Sequence, residues 1–448
     1  MTKTFSRLAG IAFLGLCLGL AHAQTVSSAE DGSLLVYRIK PGDTFNKFAQ
    51  KYLIQPVDMP ALQKVNRLQN INLLAVGAEL YIPRHLVKQV ASKATVMGTS
   101  CANPILLRNS GKTLKIGTSV VEGDVVEVPA ECHVSLLLED GSIIRLPSSA
   151  ALKISTLRKN MLEPAPEVKL DLTRGRIELD VQKGRAKSTP FEVRTPISIM
   201  GVRGTEFRVG YSPEDQTGQV EVLGGIVQTQ GSQDSQGQPI TQGLGLPINN
   251  VGQSLAVEKL LDAPLFHSVQ VTEGKQPSYV AQLQPVKDAS YYIADSANTA
   301  NLTGNRSTVN LLSAELFIPK LTKQAVFYQL TSVSASGLVG TERQYAFCAP
   351  NTDNSVPRCS AIFDAPLADG TAISFALSRL VDGSQQTLVN TQTLQARNGR
   401  FAIQGIPEGN YTWALSYRMP QAAGSDTPET TIHQSGKFEL ITLNTHKP

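Results

Sequence analysis

From about residue 95 onward the chain is built of short runs in which apolar and polar residues alternate, cut by turn signals. That period of two is the signature of half-buried strands and leaves little room for helices. Val134-Ser135-Leu136-Leu137-Leu138 leads to Glu139-Asp140-Gly141-Ser142 and then to Ile143-Ile144-Arg145-Leu146. This is a strand, an Asp-Gly turn and a returning strand. Val168, Leu170 and Leu172 alternate with polar residues up to Arg174-Gly175, where Ile177, Leu179 and Val181 resume the pattern. Phe191-Glu192-Val193-Arg194-Thr195 and Glu206-Phe207-Arg208-Val209 continue it. Residues 95–259 are therefore expected to form one β-rich domain. Between Gln228 and Gln253 the chain is rich in Gln, Gly and Ser, and that composition predicts an exposed loop.

Beyond residue 260 one pattern occurs twice. Leu316, Ile318, Leu321, Val326, Tyr328 and Leu330 match Phe401, Ile403, Ile406, Tyr411, Trp413 and Leu415 at one constant offset. Strand alternation repeating at domain length predicts two β-sandwiches, 260–348 and 363–445, joined by a connector at 349–362. Trp413 is expected in a core.

At 448 residues the chain exceeds what one core can serve, and 41% hydrophobic residues suffice for several. The formal charge of +4 is small, and the basic residues are scattered rather than striped. That excludes the concentrated footprint a nucleic-acid partner requires. Lys3 and Arg7 precede an apolar run at 11–20, and Ala21-His22-Ala23 follows it. Residues 1–23 thus read as a signal peptide cleaved after Ala23. Cys17 would suggest a lipoprotein, but Leu16 stands before it where a small residue is needed. No later run reaches the ~18 apolar residues of a membrane helix, so no transmembrane segment is expected in the mature chain. Export into an oxidising compartment makes disulfides the expectation for Cys101, Cys132, Cys348 and Cys359. Four cysteines allow three pairings. The sequence-local one, Cys101 with Cys132 and Cys348 with Cys359, is expected; buried free thiols are the alternative.

Residues 35–84 break the β pattern. Leu35-Val36-Tyr37-Arg38-Ile39 is β-rich, Pro41-Gly42-Asp43-Thr44 is a turn with a helix cap, and Phe45, Phe48, Ala49 and Tyr52 fall at helical spacing. Leu62, Val65 and Leu68 carry a second helical face, and Glu79-Leu80-Tyr81-Ile82-Pro83 returns as a strand. Together with Asn66 and Val76-Gly77, these residues resemble the LysM family almost position by position. The resemblance implies a βααβ module that binds N-acetylglucosamine-containing glycans, chiefly peptidoglycan and chitin. The connection between the helices, with Pro56 and Pro60, is longer than usual for that family. A glycan needs backbone donors and acceptors plus an apolar floor for its acetyl methyl. Gly42, Asp43, Thr44 and Phe45 are expected at one lip of such a groove, and Arg67, Leu68, Asn70 and Ile71 at the other.

The middle region carries Val121-x-Gly123-Asp124, Leu138-Glu139-Asp140-Gly141-Ser142, Leu172-x-x-Gly175-Arg176 and Phe191-x-Val193-x-Thr195-Pro196. It also has Gly201-Val202-Arg203-Gly204-Thr205-Glu206-Phe207 and Glu221-Val222-Leu223-x-Gly225. These stretches resemble the FecR domain, the periplasmic part of a family of iron-uptake signal transducers. The cytoplasmic segment and membrane helix of those transducers have no counterpart here, so the resemblance implies a periplasmic β-scaffold that docks a partner. The 201–207 motif is expected to be a tight turn, its glycines at positive φ and Arg203 paired with a carboxylate. The C-terminal pair is similar to fibronectin type III or other immunoglobulin-like modules.

The expected fold is therefore mainly β and multidomain: a small βααβ LysM module, a FecR-like β domain and two β-sandwiches. His85, His133, His267, His433 and His446 share no metal-ligand spacing, and no Gly-x-Ser-x-Gly, Ser-x-x-Lys or supported Cys-His pair occurs. No catalytic residue, metal or cofactor is expected. The expectation is a non-enzymatic protein of the Gram-negative periplasm that holds peptidoglycan strands, with a further periplasmic or membrane protein as possible partner. A signalling module relaying to an inner-membrane receptor is the alternative, followed by a peptidoglycan-processing enzyme.

Overall fold

The structure, a computed structural model, describes residues 34–67, 74–101, 103–163, 165–185, 189–272, 278–302, 306–318, 321–349, 358–365, 372–397, 399–418 and 431–443. The export leader expected at 1–23 lies outside them. No helix among the described residues is long and apolar enough to cross a membrane.

The N-terminal module is βααβ: β1 (Leu34–Arg38), α1 (Phe45–Tyr52), α2 (Met59–Asn66) and β2 (Glu79–Pro83). β1 and β2 pair antiparallel, Tyr37 opposite Leu80. Thr44 caps α1, its side chain accepting from the Lys47 N–H, and Phe45, Phe48 and Ala49 turn inward. Asp58 caps α2 and accepts from the Ala61 N–H at 3.1 Å. Asn66 ties α2 to β2: its amide donates to the Tyr81 carbonyl at 2.6 Å and accepts from the Tyr81 N–H at 2.7 Å.

β3 (Gln89–Ala91) and β4 (Lys93–Thr99) follow and are the first two strands of a sixteen-stranded sheet that folds around one core. The Asp-Gly hairpin joins Val134–Leu138 to Ile143–Leu146 as expected, with Gly141 at φ +88°. Strand Pro166–Asp180 serves both layers. Its first half pairs with Ala151–Asn160, and its second half pairs with Ile143–Leu146 and Glu206–Ser212. Gly175 makes that turn of layer at φ +81°; a Cβ there would lie 2.6 Å from the Ser149 carbonyl oxygen.

The segment 228–253 is not a loop. Strands Ile226–Gly231, Gln238–Thr241 and Leu244–Ile248 cross it, and Val227, Ile240, Leu246 and Ile248 are buried. Gln228 and Gln230 occupy the outward positions of the first of these strands, so polar composition masked a strand with one apolar face.

The C-terminal half repeats one arrangement. Strands Phe266–Thr272, Ser278–Leu283 and Glu315–Ile318 form a three-stranded sheet facing Ser307–Leu311, Ala289–Ala297, Val326–Ser334 and Val339–Cys348. The second unit has Arg358–Asp364 with Arg400–Pro407, facing Ser384–Gln395, Ala372–Val381, Gly409–Arg418 and Thr431–Thr442. These are two sandwiches of fibronectin type III or immunoglobulin kind, and the residues matched in sequence lie on corresponding strands, except Leu321, which stands between two strands where Ile406 lies within one. They are not separate beads, however. Val339–Cys348 pairs in parallel with Thr431–Thr442, Tyr345 opposite Glu439, so both larger sheets fuse into one of eight strands. Nor is 349–362 only a connector: strand Arg358–Asp364 begins within it and buries Cys359, Ala361 and Phe363. Cys101 is bonded to Cys132 with Cα atoms 4.6 Å apart, and Cys348 to Cys359 at 6.3 Å.

The N-terminal module is fastened to the β domain from behind. β3 pairs with the end of Ala151–Asn160, and Lys88 donates its N–H to the Tyr52 carbonyl at 2.7 Å. Met161 and Leu162 join the module's own core. Arg84 and Glu163 form a buried ion pair at 2.5 Å. Removing one member of such a pair costs about 3–5 kcal/mol, because the other charge stays out of water. Arg84→Ala should therefore lower the urea midpoint and open 84–92 to limited proteolysis; unchanged cleavage in that stretch would show that the backbone pairing alone holds the module.

Candidate functional site

The lips of the N-terminal module are built by two neighbouring turns and the end of α2. Asp43 closes the first turn by accepting from the Lys40 N–H at 2.7 Å and the Tyr37 hydroxyl at 2.9 Å. Gly42 sits at φ +84° with nothing within 4 Å of where a Cβ would stand, so its backbone is open to a ligand. The second turn, 75–78, lies beside the first through Ile39, which donates to the Ala78 carbonyl at 2.9 Å and accepts from the Gly77 N–H at 2.8 Å. α2 ends at Arg67, left-handed at φ +52° and exposed.

Gly42, Thr44 and Arg67 face solvent, as does Val76 at 63% exposure. Asp43 is half-buried and engaged within its turn. Phe45, expected at the lip, is a core residue: as the first residue of α1 it falls on the inward face with Phe48 and Ala49. Leu68, Asn70 and Ile71 lie outside the described residues. Val76 was missed as a candidate. An apolar residue held outward by a glycine turn was the available signal, because Gly77 takes φ +84° immediately after it. Gly42, Arg67 and Val76 thus offer an open backbone approach, a guanidinium and an exposed apolar side chain, kinds of contact that suit a sugar with an acetamide.

The 201–207 motif is structural. Gly204 takes φ +60°, whereas Gly201 lies within strand Ser198–Val202. Arg203 donates through Nε to the Arg185 backbone carbonyl at 3.1 Å rather than to the expected carboxylate. The arginine paired with a carboxylate is Arg185, bonded to Asp140. Thr205 Oγ1 bridges the carbonyls of Arg203 and Ile226, and Gly225 packs against it; a Cβ on Gly225 would stand 3.0 Å from that hydroxyl.

One face of the β domain carries a row of alternating charge, invisible as a unit in the sequence. Arg145, Glu178, Arg208 and Glu221 are register partners across four neighbouring strands. The first sandwich sits on this row. Arg208 donates to the Gly340 carbonyl at 2.8 Å and to Glu342 at 2.7 Å, and Glu221 accepts from the Val339 N–H at 3.1 Å. Arg306 bridges Glu178 at 3.1 Å and Asp295 at 2.7 Å. Burial pushes the Glu178 carboxyl up, but Arg306 and Arg208 outweigh it and hold the group at about 2. Burial raises Glu221, whose nearest cation is Arg176 at 3.8 Å. Beside this row His133 bonds Thr308 at 2.9 Å. Burial first, and Arg306 second, lower its pKa from 6.5 to about 4. Among the described residues no group of three or more His, Cys, Asp or Glu is placed to hold a metal ion.

The fold and its open lips define a β-rich chain that presents a small α/β module at one end. A family model described as LysM domain matches residues 37–83, and one described as FecR protein matches residues 124–228. The chain thus carries a LysM domain followed by a FecR domain. No curated protein matches it. Among solved structures, it is similar to a candidate anti-sigma factor from Parabacteroides distasonis at 20% identity and TM-score 0.26. That match covers 30% of this chain and 59% of the other, so less than two thirds of the relative's length is spanned. A two-domain fibronectin type III segment of chicken tenascin is 11% identical over 40% of this chain and 99% of that one, with TM-score 0.16. The FN1–FN3 domains of chicken CNTN1 are 10% identical over 69% and 96%, with TM-score 0.17.

His133 gives the seam between the β domain and the first sandwich a pH dependence. The folded chain refuses a proton that the unfolded chain accepts between 6.5 and about 4. Stability is therefore full above that window and falls as pH drops through it, by roughly 3 kcal/mol at about 1.4 kcal/mol per unit. Urea melts across the window should show this slope in the wild type and a flatter one in His133→Gln. Identical slopes in the two proteins would assign the acid sensitivity to other groups.

Proposed function

We propose that this protein is a non-enzymatic, extracytoplasmic binder of N-acetylglucosamine-containing wall glycan, in the Gram-negative periplasm, with the FecR domain as a protein-docking scaffold. The single observation that carries this reading is the placement of the LysM domain. Its lips at Gly42, Thr44, Arg67 and Val76 open to solvent, while its opposite side is fixed to the β domain by strand pairing and the buried Arg84/Glu163 pair. Two disulfide-bonded cysteine pairs support an oxidising compartment. A single module of this size binds weakly, so retention on a polymer gains from repeated glycan sites.

Co-sedimentation of the purified full chain with sacculi tests the reading. The wild type should pellet, and free chito-oligosaccharide should release it. Val76→Glu changes an exposed residue on the lip and should weaken pelleting about tenfold or more, a loss of at least ~1.4 kcal/mol. A wild-type chain left wholly in the supernatant would refute wall binding.

The FecR match at 124–228 favours a second reading, a module that relays wall or ligand status to an inner-membrane receptor. In-cell crosslinking separates the two, because relay requires such a receptor to be captured and lost together with the FecR surface.

A further inference from the structure

Where the FecR sheet meets the two sandwiches, a cavity of about 690 Å³ remains between them. Its volume falls within the roughly 300–1,000 Å³ of small-molecule sites. We propose that this cavity binds a small zwitterionic ligand, a short peptide or amino acid with a free ammonium group and a free carboxylate.

The floor supplies the negative end. One step along the strands from the alternating charge row, Asp180 stands directly opposite Glu206. Like charges in that position repel and are not tolerated without reason. Neither carboxylate is held in an ion pair among the described residues, and both line the cavity together with Glu342. Burial, then Glu342 and Asp180, push the Glu206 carboxyl up, and Arg145 and Arg208 nearby do not fully offset them. An ammonium ion placed there would relieve Asp180 and Glu206, which, unlike Glu342, have no cation bonded to them among the described residues.

The facing wall supplies donors. Strand Thr431–Thr442 brings His433, Gln434 and Lys437 to the cavity, and Trp413 lies beneath it. Gly436 lets the strand pass over the indole, since a Cβ there would stand 2.8 Å from the ring. Gln434 is 9% exposed and Trp413 6%, and Gln434 Nε2 and Trp413 Nε1 have no acceptor among the described residues. Buried donors without acceptors are costly, and a ligand carboxylate reaching Gln434 and Trp413 would satisfy them. Acids on one side and orphaned donors on the other select a ligand with both charges. This inference stands apart from the LysM reading, because no residue of the N-terminal module lines the cavity.

Trp413 is the one tryptophan in the chain, so its fluorescence reports the cavity alone. The full chain would be titrated with a panel of unblocked di- and tripeptides, including tri-alanine, and with the same peptides N-acetylated or C-amidated. At least one unblocked peptide should change Trp413 emission saturably, and blocking either end should weaken it about tenfold or more. Glu206→Gln should reproduce the loss caused by N-acetylation, and Gln434→Leu the loss caused by C-amidation, with thermal melts showing both variants folded. Absence of a saturable change with every peptide up to ~10 mM would overturn the proposal. So would equal binding of blocked and unblocked peptides, or wild-type binding by both variants.

Discussion

Four charges in a row, Arg145, Glu178, Arg208 and Glu221, govern how the halves of this protein meet. Arg208 lies between Glu178 and Glu221 on neighbouring strands, Arg145 stands beside Glu178, and the first sandwich completes the pattern with Glu342, Arg306 and the N–H of Val339. Buried ions gain little net stability over a well-packed apolar seam, yet a mismatch among them is costly. The row therefore acts chiefly on specificity, admitting one placement of the sandwich on the sheet. That placement in turn creates the cavity, whose floor continues the same strands to Asp180 and Glu206.

At the other end of the chain, orientation is fixed by different means. The LysM domain is joined through β3, through Lys88 and through the Arg84/Glu163 pair, which leaves the turns at Gly42 and Val76 open to solvent. A weakly binding module gains from being held in one direction, because less freedom is lost when it meets a surface. Rigid attachment and open lips belong to one arrangement here.

What could be read from the sequence was local. The Asp-Gly hairpin at 134–146, the capped helices of 44–66 and the paired sandwiches follow from patterns within a few residues or one repeat. Phe45 was legible on the apolar face of its helix with Phe48 and Ala49, and its burial there rules out its second assignment, to the lip. The strands of 228–253 were hidden because glutamine fills their solvent side, and composition was weighed above alternation. Arg203 shows a limit of motif reading: its partner is a carbonyl, and the carboxylate belongs to Arg185 instead. The charge row was beyond reach, since each member looks like a solvent-facing strand residue until a register aligns it. Its partners in the sandwich lie more than a hundred residues away along the chain.

The fused sheet carries a consequence for biogenesis. Thr431–Thr442 is the last described strand, yet it occupies the middle of the eight, between Val339–Cys348 and Gly409–Arg418. Until it emerges from the ribosome, two strands that will be interior stand as bare edges, the kind of surface that recruits neighbouring chains. Vectorial synthesis thus leaves the heart of this layer for last, and a chaperone that shields open edges would act on these two.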